Sequence, residues 1–355
     1  AIEENGKQVK FDGYLTDVFG QKAIDFINAK DDKPFFLYMA YTAPHWPLHA
    51  WPADIAKYKG VYDGGYEVVR QARYKRQVEI GLVDPKISPL PPMEIGETKP
   101  KLESLSAEER KLEATRMEVY AAMVDRLDQN IGRLLKRLEE QGKLKTTLVF
   151  FLSDNGACAV DPKVDKEDIK APMGSVASYP SYGQNWATVS NTPLKKWKTT
   201  SYEGGISTPL IVNWPAVVKP LTGWNNEATH LVDIMPTILS VAGANFPGES
   251  KEPKILPTDG VSLLPALKGE QLSRKNPLFY QFGKGAAIRD GQWKLVRLGA
   301  TWELYDLASD RAETNNLINK HPDIAKKMEV QWLAWWKDCT GEAWTGKAPK
   351  EPKDD

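Results

Sequence analysis

The sequence predicts an α/β domain followed by a small antiparallel sheet packed with one helix. Three observations predict it. Continuous apolar runs at residues 35–41 and 147–152 each end in a polar loop, as strands buried on both faces of a parallel sheet do. Residues 107–141 carry apolar side chains at a period near 3.6, the mark of a long amphipathic helix. Beyond residue 270, four short β-like runs are separated by tight turn signals.

Taken in order, Val18, Ala23, Ile24, Phe26 and Ile27 form one stripe of a helix over residues 17–29. Lys33-Pro34 breaks it, and the apolar run 35–41 reads as a buried strand. That run leads into Ala43-Pro44-His45-Trp46-Pro47. Two prolines around a His make a stiff loop at a strand's C-terminal end, where open α/β sheets bind ligands. Residues 52–105 lack a regular pattern and read as a long surface excursion. In the long helix, Met117, Tyr120, Ala121, Val124, Leu127, Ile131, Leu134, Leu135 and Leu138 keep the period, and Gly142 is its expected stop. The second strand, 147–152, runs into Ser153-Asp154-Asn155-Gly156. The Gly/Ser/Tyr-rich stretch 174–191 reads as loop, 209–215 as a third short strand, and 230–242 as a helix begun near Asp233. The short runs 278–282, 286–289, 293–297 and 302–305 and a helix over 321–336 complete the second domain. The expected boundaries are 1–245 for the α/β domain, 246–270 for a linker, 271–345 for the small α+β domain and 346–355 for a charged tail.

Composition narrows the function classes. A length of 355 residues corresponds to about two domains. Lys+Arg and Asp+Glu are 47 each, so no uniform basic field exists and a nucleic-acid partner is not expected. Hydrophobic and charged fractions of 41% and 26% exclude wholesale disorder. Two Cys and four His argue against a disulfide framework and a zinc cluster. No apolar run approaches the ~20 residues of a membrane span. The first residues lack both an initiator Met and the apolar core of a signal peptide, so an upstream segment is expected to have been lost or cut away.

Three segments offer chemistry. Asp154 and Asn155 follow a strand directly. Their carboxylate and amide oxygens are hard ligands suited to Ca²⁺ or Mg²⁺; the alternative is an ordinary Asp-Asn-Gly turn. His45 is placed to bond an anionic substrate or protonate a leaving group; the alternative is a ring packed between Pro44 and Trp46. His49 is the weaker neighbour. Lys195, Lys196 and Lys198 precede Tyr202-Glu203-Gly204-Gly205. A Lys beside Gly-Gly backbone can neutralise a sulfate or phosphate oxygen as a point charge; the alternative is a solvated charge run.

The order of segments is more specific than any one of them. It includes Ala43-Pro44-His45-Trp46-Pro47, Ser153-Asp154-Asn155-Gly156, Asn191-Thr192-Pro193, Tyr202-Glu203-Gly204-Gly205-Ile206, Asp233-Ile234-Met235-Pro236-Thr237 and Ile288-Arg289-Asp290-Gly291-Gln292-Trp293-Lys294-Leu295. With these the chain resembles the formylglycine-dependent, arylsulfatase-like sulfatases of the alkaline-phosphatase superfamily, over essentially its whole length. The resemblance implies an alkaline-phosphatase-like mixed sheet flanked by helices, lacking its N-terminal strands, plus the small C-terminal sheet. It implies hydrolysis of sulfate esters, aryl or carbohydrate. It makes Asp154 and Asn155 ligands of a Ca²⁺ ion, with Mg²⁺ as the alternative, and makes His45 and Lys198 contacts of the sulfate group. Lys195 and Lys196 receive no role.

The family's nucleophile, a formylglycine formed within Cys/Ser-x-Pro-x-Arg, has no counterpart here. Ser178-Tyr179-Pro180-Ser181-Tyr182 is a near miss with Tyr in place of Arg. The paired acidic residues of the family's first strand and its Gly-Lys-Trp-His segment are also missing. All are expected upstream, so a complementary N-terminal fragment is a candidate partner beside the sulfated substrate. Family habit places such proteins in the periplasm or outside the cell. A phosphonate monoester or phosphodiester hydrolase, or a non-catalytic remnant, are the competing readings.

Overall fold

The computed structural model describes residues 2–29, 33–93, 102–161, 171–218, 223–246 and 257–345. In chain order the elements are β1 (Ile2–Glu4), β2 (Lys7–Val9), α1 (Leu15–Asn28), α2 (Pro52–Ala56), α3 (Gly65–Glu79), α4 (Ala107–Glu140), β3 (Val149–Leu152), α5 (Gly183–Ser190), α6 (Glu203–Ile206) and β4 (Leu210–Asn213). Then come α7 (Ile234–Ala242), α8 (Leu264–Leu267), β5 (Leu278–Phe282), β6 (Gly285–Asp290), β7 (Trp293–Leu298), β8 (Trp302–Asp306) and α9 (Pro322–Thr340). The chain divides into two compact units. The first comprises Ala1–Val69, Ile95–Thr147 and Cys158–Ala187; the second comprises Arg70–Glu94, Leu148–Ala157 and Thr188–Asp355. Among the described residues, no helix is long and apolar enough to cross a membrane.

The first unit is built on α4. Its start is a reciprocal cap: Glu109 N–H donates to Ser106 Oγ at 3.2 Å, and Ser106 N–H donates to Glu109 Oε2 at 2.8 Å. Its end is the predicted glycine, Gly142, at φ +68. Helix α1 packs along α4. Gly20 makes the close approach, since a Cβ there would lie 2.2 Å from Asn130 Oδ1. A forked pair, Arg126 Nε and Nη2 on Asp17 at 2.6 and 2.8 Å, fixes the register. A hairpin not predicted from the sequence, β1–β2, turns at Asn5-Gly6, both at positive φ.

Three expectations for individual segments of the α/β part are corrected. Residues 35–41 form no strand. Phe36 and Tyr38 are 68% and 79% exposed, while Phe35, Leu37 and Met39 are half-buried. The segment finds no ladder partner among the described residues, and a run of apolar side chains does not make a strand without one. Residues 52–105 are not all irregular. They hold α2 and the fifteen-residue α3, whose charged composition hid its period. Arg70 Nη2 and Tyr74 Oη on α3 donate to the carbonyls of Pro91 and Ser88, both at 2.7 Å, so the stretch after α3 lies back along it. The stretch 174–191 is not all loop either. It contains α5, where Trp186 and Ala187 are fully buried. Trp186 Nε1 donates to Glu113 O at 2.9 Å, and Tyr182 stacks on Tyr120 with centroids 4.4 Å apart.

In the second unit, β3 and β4 stand where strands were predicted, but they pair antiparallel, with Phe151 opposite Ile211. Those two are 42% and 58% exposed. The parallel sheet buried on both faces is therefore corrected to a two-stranded antiparallel pair among the described residues. A continuous apolar run reports burial propensity, and it carries no information on strand direction.

The C-terminal part matches its prediction closely. Strands β5 to β8 form an antiparallel meander in sequence order. Ile288, Leu295 and Leu304 pack with Ala325, Met328, Trp332 and Trp336 of α9. Gly341, at φ +73, ends α9. Of the expected linker 246–270, residues 247–256 lie outside the described residues, as does the tail 346–355; α8 lies within the rest of the linker.

Candidate functional site

In the second unit the loop leaving β3 is held by the chain around it. Thr208 Oγ1 donates to Ser153 O at 2.7 Å, and Ser153 Oγ donates to Asn155 O at 2.9 Å. Gly156 N–H donates to Gly205 O at 2.9 Å, and Lys198 N–H donates to Ala157 O at 3.0 Å. Asn191 bridges the same loops: its Oδ1 accepts from Ala157 N–H at 3.0 Å and its Nδ2 donates to Lys196 O at 3.0 Å. Gly204 N–H closes the set on Lys195 O at 2.8 Å.

These contacts require glycine. A Cβ at residue 156 would sit 1.8 Å from Gly204 O, and one at residue 204 would sit 2.2 Å from Lys196 O. Lys196 and Thr199 adopt φ +66 and +74. A β-branched residue in that region is strained backbone, which surrounding contacts must over-determine. The structure thus brings Asp154, Asn155 and Lys198 onto one knot of backbone. Asp154 is exposed; Asn155 and Lys198 are half-buried.

The three lysines separate clearly. Lys195 Nζ lies 3.2 Å from Glu303 Oε2 and 3.0 Å from Tyr305 Oη, above the Tyr202 ring. It is a structural cation. Lys196 Nζ lies over the Trp197 ring. The ammonium of Lys198 makes no ion pair or hydrogen bond among the described residues, and neither does the Asp154 carboxylate.

His45 belongs to the first unit and is exposed. Its Nδ1 lies 2.7 Å from Trp46 O. A carbonyl only accepts, so Nδ1 carries the proton there and Nε2 is left as the reactive nitrogen. Trp46 in turn meets the edge of Tyr179 at 5.7 Å. His49 Nε2 donates to Ser178 O at 2.7 Å, and His49 O accepts from Tyr14 Oη; it anchors its loop.

The donors at 154 and 155 fit Ca²⁺ or Mg²⁺ in kind, being a carboxylate and an amide oxygen. They do not fit in number, since Ca²⁺ takes six to eight oxygens. Among the described residues no group of three or more His, Cys, Asp or Glu is arranged to hold a metal ion.

Sequence reasoning passed over one cluster. Lys294 on β7, Glu203 at the start of α6 and Glu313 are all buried. Lys294 Nζ lies 2.7 Å from Glu203 Oε1 and 2.9 Å from Glu313 Oε1. Burial alone would raise both carboxyls. At Glu203, Lys294 and Arg311 outweigh it and hold the group down at about 2. At Glu313, burial and the neighbouring Glu203 charge prevail over Lys294 and push it up to about 7. Its signals were visible as Tyr202-Glu203-Gly204-Gly205 and Trp293-Lys294-Leu295, but nothing in either string says that they meet.

The profile of the family described as Sulfatase matches residues 1–244, and that of N-sulphoglucosamine sulphohydrolase, C-terminal, matches residues 196–335. An uncharacterized sulfatase of Schizosaccharomyces pombe is 34% identical over 343 residues, covering 91% of this chain and 61% of the relative. An arylsulfatase of Klebsiella aerogenes is 34% identical over 280 residues, covering 75% and 59%. The solved structure of Ps i-CgsB in complex with k-i-k-neocarrahexaose has a TM-score of 0.66 at 24% identity, over 97% of this chain and 60% of that one; the likeness is one of fold. The chain spans about three-fifths of the length of these relatives.

Proposed function

The chain belongs to the sulfatase family, and from that premise we propose that it carries part of the active site of a sulfate-ester hydrolase. The observation that supports this most is the Lys198 ammonium, unpaired among the described residues, on the same backbone knot as Asp154 and Asn155. A half-buried cation with no partner among the described residues, on the same loops as a carboxylate that also has none there, is a poor structural arrangement and a good one for an anionic ester.

In this reading Asp154 and Asn155 give two of the oxygen ligands of a Ca²⁺ ion, with Mg²⁺ as the alternative, and the other ligands come from outside these residues. The bound ion would neutralise charge on the sulfate. Lys198 places a second positive charge on a sulfate oxygen. His45, through the Nε2 left open by its bond to Trp46 O, gives a proton to the departing alcohol oxygen. The nucleophile, a formylglycine, lies on a segment outside the 355 residues, because Cys/Ser-x-Pro-x-Arg does not occur among them. Substrates are sulfate esters of aryl alcohols or carbohydrates. The name of the Klebsiella relative and the oligosaccharide bound by Ps i-CgsB favour these two classes.

The test is turnover of an aryl sulfate by the full-length protein and its Lys198→Ala variant, with an aryl phosphonate measured alongside. A fall of roughly 10²-fold or more in kcat is expected for loss of one charge-stabilising group. An unchanged rate would remove Lys198 from the site. Equal or faster phosphonate turnover would overturn the sulfatase reading.

A further inference from the structure

The Glu203–Lys294–Glu313 cluster has no place in the chemistry above, yet it touches the site's backbone. Two carboxylates share one fully buried ammonium. Arg311 Nη2 approaches Glu203 Oε2 at 3.5 Å and donates to Ser207 Oγ at 3.0 Å. Glu313 has a second duty: its Oε2 accepts the backbone N–H of Glu203 at 2.7 Å. Residue 313 adopts φ +55, a strained conformation for a side-chain-bearing residue.

Such a cluster is a weak source of stability, because desolvating its charged groups offsets most of their attraction. What it does supply is position. Glu203 is followed directly by Gly204 and Gly205, whose backbone holds Gly156 and Lys195. The path from Lys294 to the site is therefore short and covalent for most of its length. It runs from Lys294 to Glu203, along two glycines, and across one hydrogen bond to the Ser153–Gly156 turn.

We propose that Lys294 is a positioning residue for the site: by clamping Glu203 and Glu313 it fixes the backbone of residues 202–205, and through it the turn bearing Asp154 and Asn155 and the loop bearing Lys198. The catalytic consequence rests on the sulfatase reading; the structural linkage does not. Uncharged replacement would leave the buried Glu203 carboxylate and Glu313 without their cation, and the 202–205 segment is the part free to respond, since β6, β7 and β8 hold one another by their own ladders.

Hydrogen exchange on the 355-residue chain tests the linkage. In Lys294→Met, the amides of Gly156, Lys198, Gly204 and Gly205 are expected to exchange roughly tenfold or more faster, while those of β6–β8 stay within about twofold of wild type. Acceleration spread evenly over the sheet would make Lys294 an ordinary core residue and overturn the proposal, and so would unchanged exchange at the four amides. If Lys294→Met does not fold, Glu313→Gln keeps an acceptor for Glu203 N–H and must show the same pattern, more weakly. In the full-length protein, Lys294→Met is expected to lower kcat for aryl sulfate about tenfold with KM held within about twofold. A wild-type protein inactive on sulfate esters would sink the functional reading alone, and the exchange pattern would still decide the linkage.

Discussion

The meander β5–β8 and the pair β3–β4 are both antiparallel and both rich in apolar residues, yet they bury them very differently. Ile288, Leu295 and Leu304 are 0% exposed beneath α9, whereas Phe151 and Ile211 remain about half open. The meander is finished by its own helix. The pair is held at its end, by Thr208 on Ser153 and by Gly205 on Gly156. The first region stores stability and the second presents side chains, so substitutions in the two should report on different quantities.

The largest expected effect tests that division. Trp332→Ala in the C-terminal core should destabilise the chain by about 3–5 kcal/mol, whereas Ile211→Ala should cost under about 1 kcal/mol, because little apolar area is lost there. Denaturant midpoints of the two variants measure it. Equal costs would mean that β3–β4 is part of the main core after all.

Gly156→Ala comes next. The added methyl would meet Gly204 O at 1.8 Å, and backbone cannot yield as a side-chain tip can. A loss of about 1–3 kcal/mol is expected. On the proposed sulfatase reading it should come with a steep fall in kcat, because Asp154 and Asn155 precede that contact directly and Lys198 N–H donates to the next residue, Ala157. A Gly156→Ala protein with wild-type kcat would show that the knot is dispensable.

The lysines sharpen the comparison at a smaller scale. Lys195→Ala removes a cation from Glu303, Tyr305 and the Tyr202 face and should cost about 1–2 kcal/mol of stability. Lys198→Ala should leave stability within about 0.5 kcal/mol while removing activity. Thermal melts and initial rates on both variants separate the roles. The reverse pattern would exchange them.

How much of this was legible in the sequence differs between the same two regions. In β5–β8 each strand pairs with its neighbour in sequence, so local turn signals such as Arg289-Asp290-Gly291 carried the topology. The strands at 149–152 and 210–213 were found by their apolar runs, but their mutual direction depends on a pairing across about sixty residues, which no local pattern encodes. Helix α3 was missed because it buries chiefly Tyr66 and Arg70, so its apolar stripe is thin. Asp154, Asn155 and Lys198 were singled out through a series of motifs, and their common knot depends on Gly156, Gly204 and Gly205, which the motifs contain. The Glu203–Lys294–Glu313 cluster was invisible for the opposite reason. Three charged residues spread over more than a hundred positions look like surface until the fold buries them.

That cluster gives the smallest and most specific expectation. Glu313 ionises only near about 7 in the folded chain, against an ordinary value of 4.5. Its folded state holds a proton that the unfolded state releases first. The stability that proton contributes is complete below pH 4.5 and is lost as pH rises through about 7. Glu203, held down at about 2, acts in the other direction, and its contribution is lost only as pH falls from 4.5 toward 2. The charged groups facing the pair are Lys294, Arg311 and Arg289, with Tyr280 and Tyr305 close by, and burial pushes both tyrosines up. Subtracting the Glu313→Gln protein's unfolding free energy from that of wild type at each pH cancels the titrations the two share. The difference should fall steadily from pH 5 to pH 7.5. A flat difference would mean that Glu313 is ionised across the whole range and that Lys294 balances both carboxylates at once.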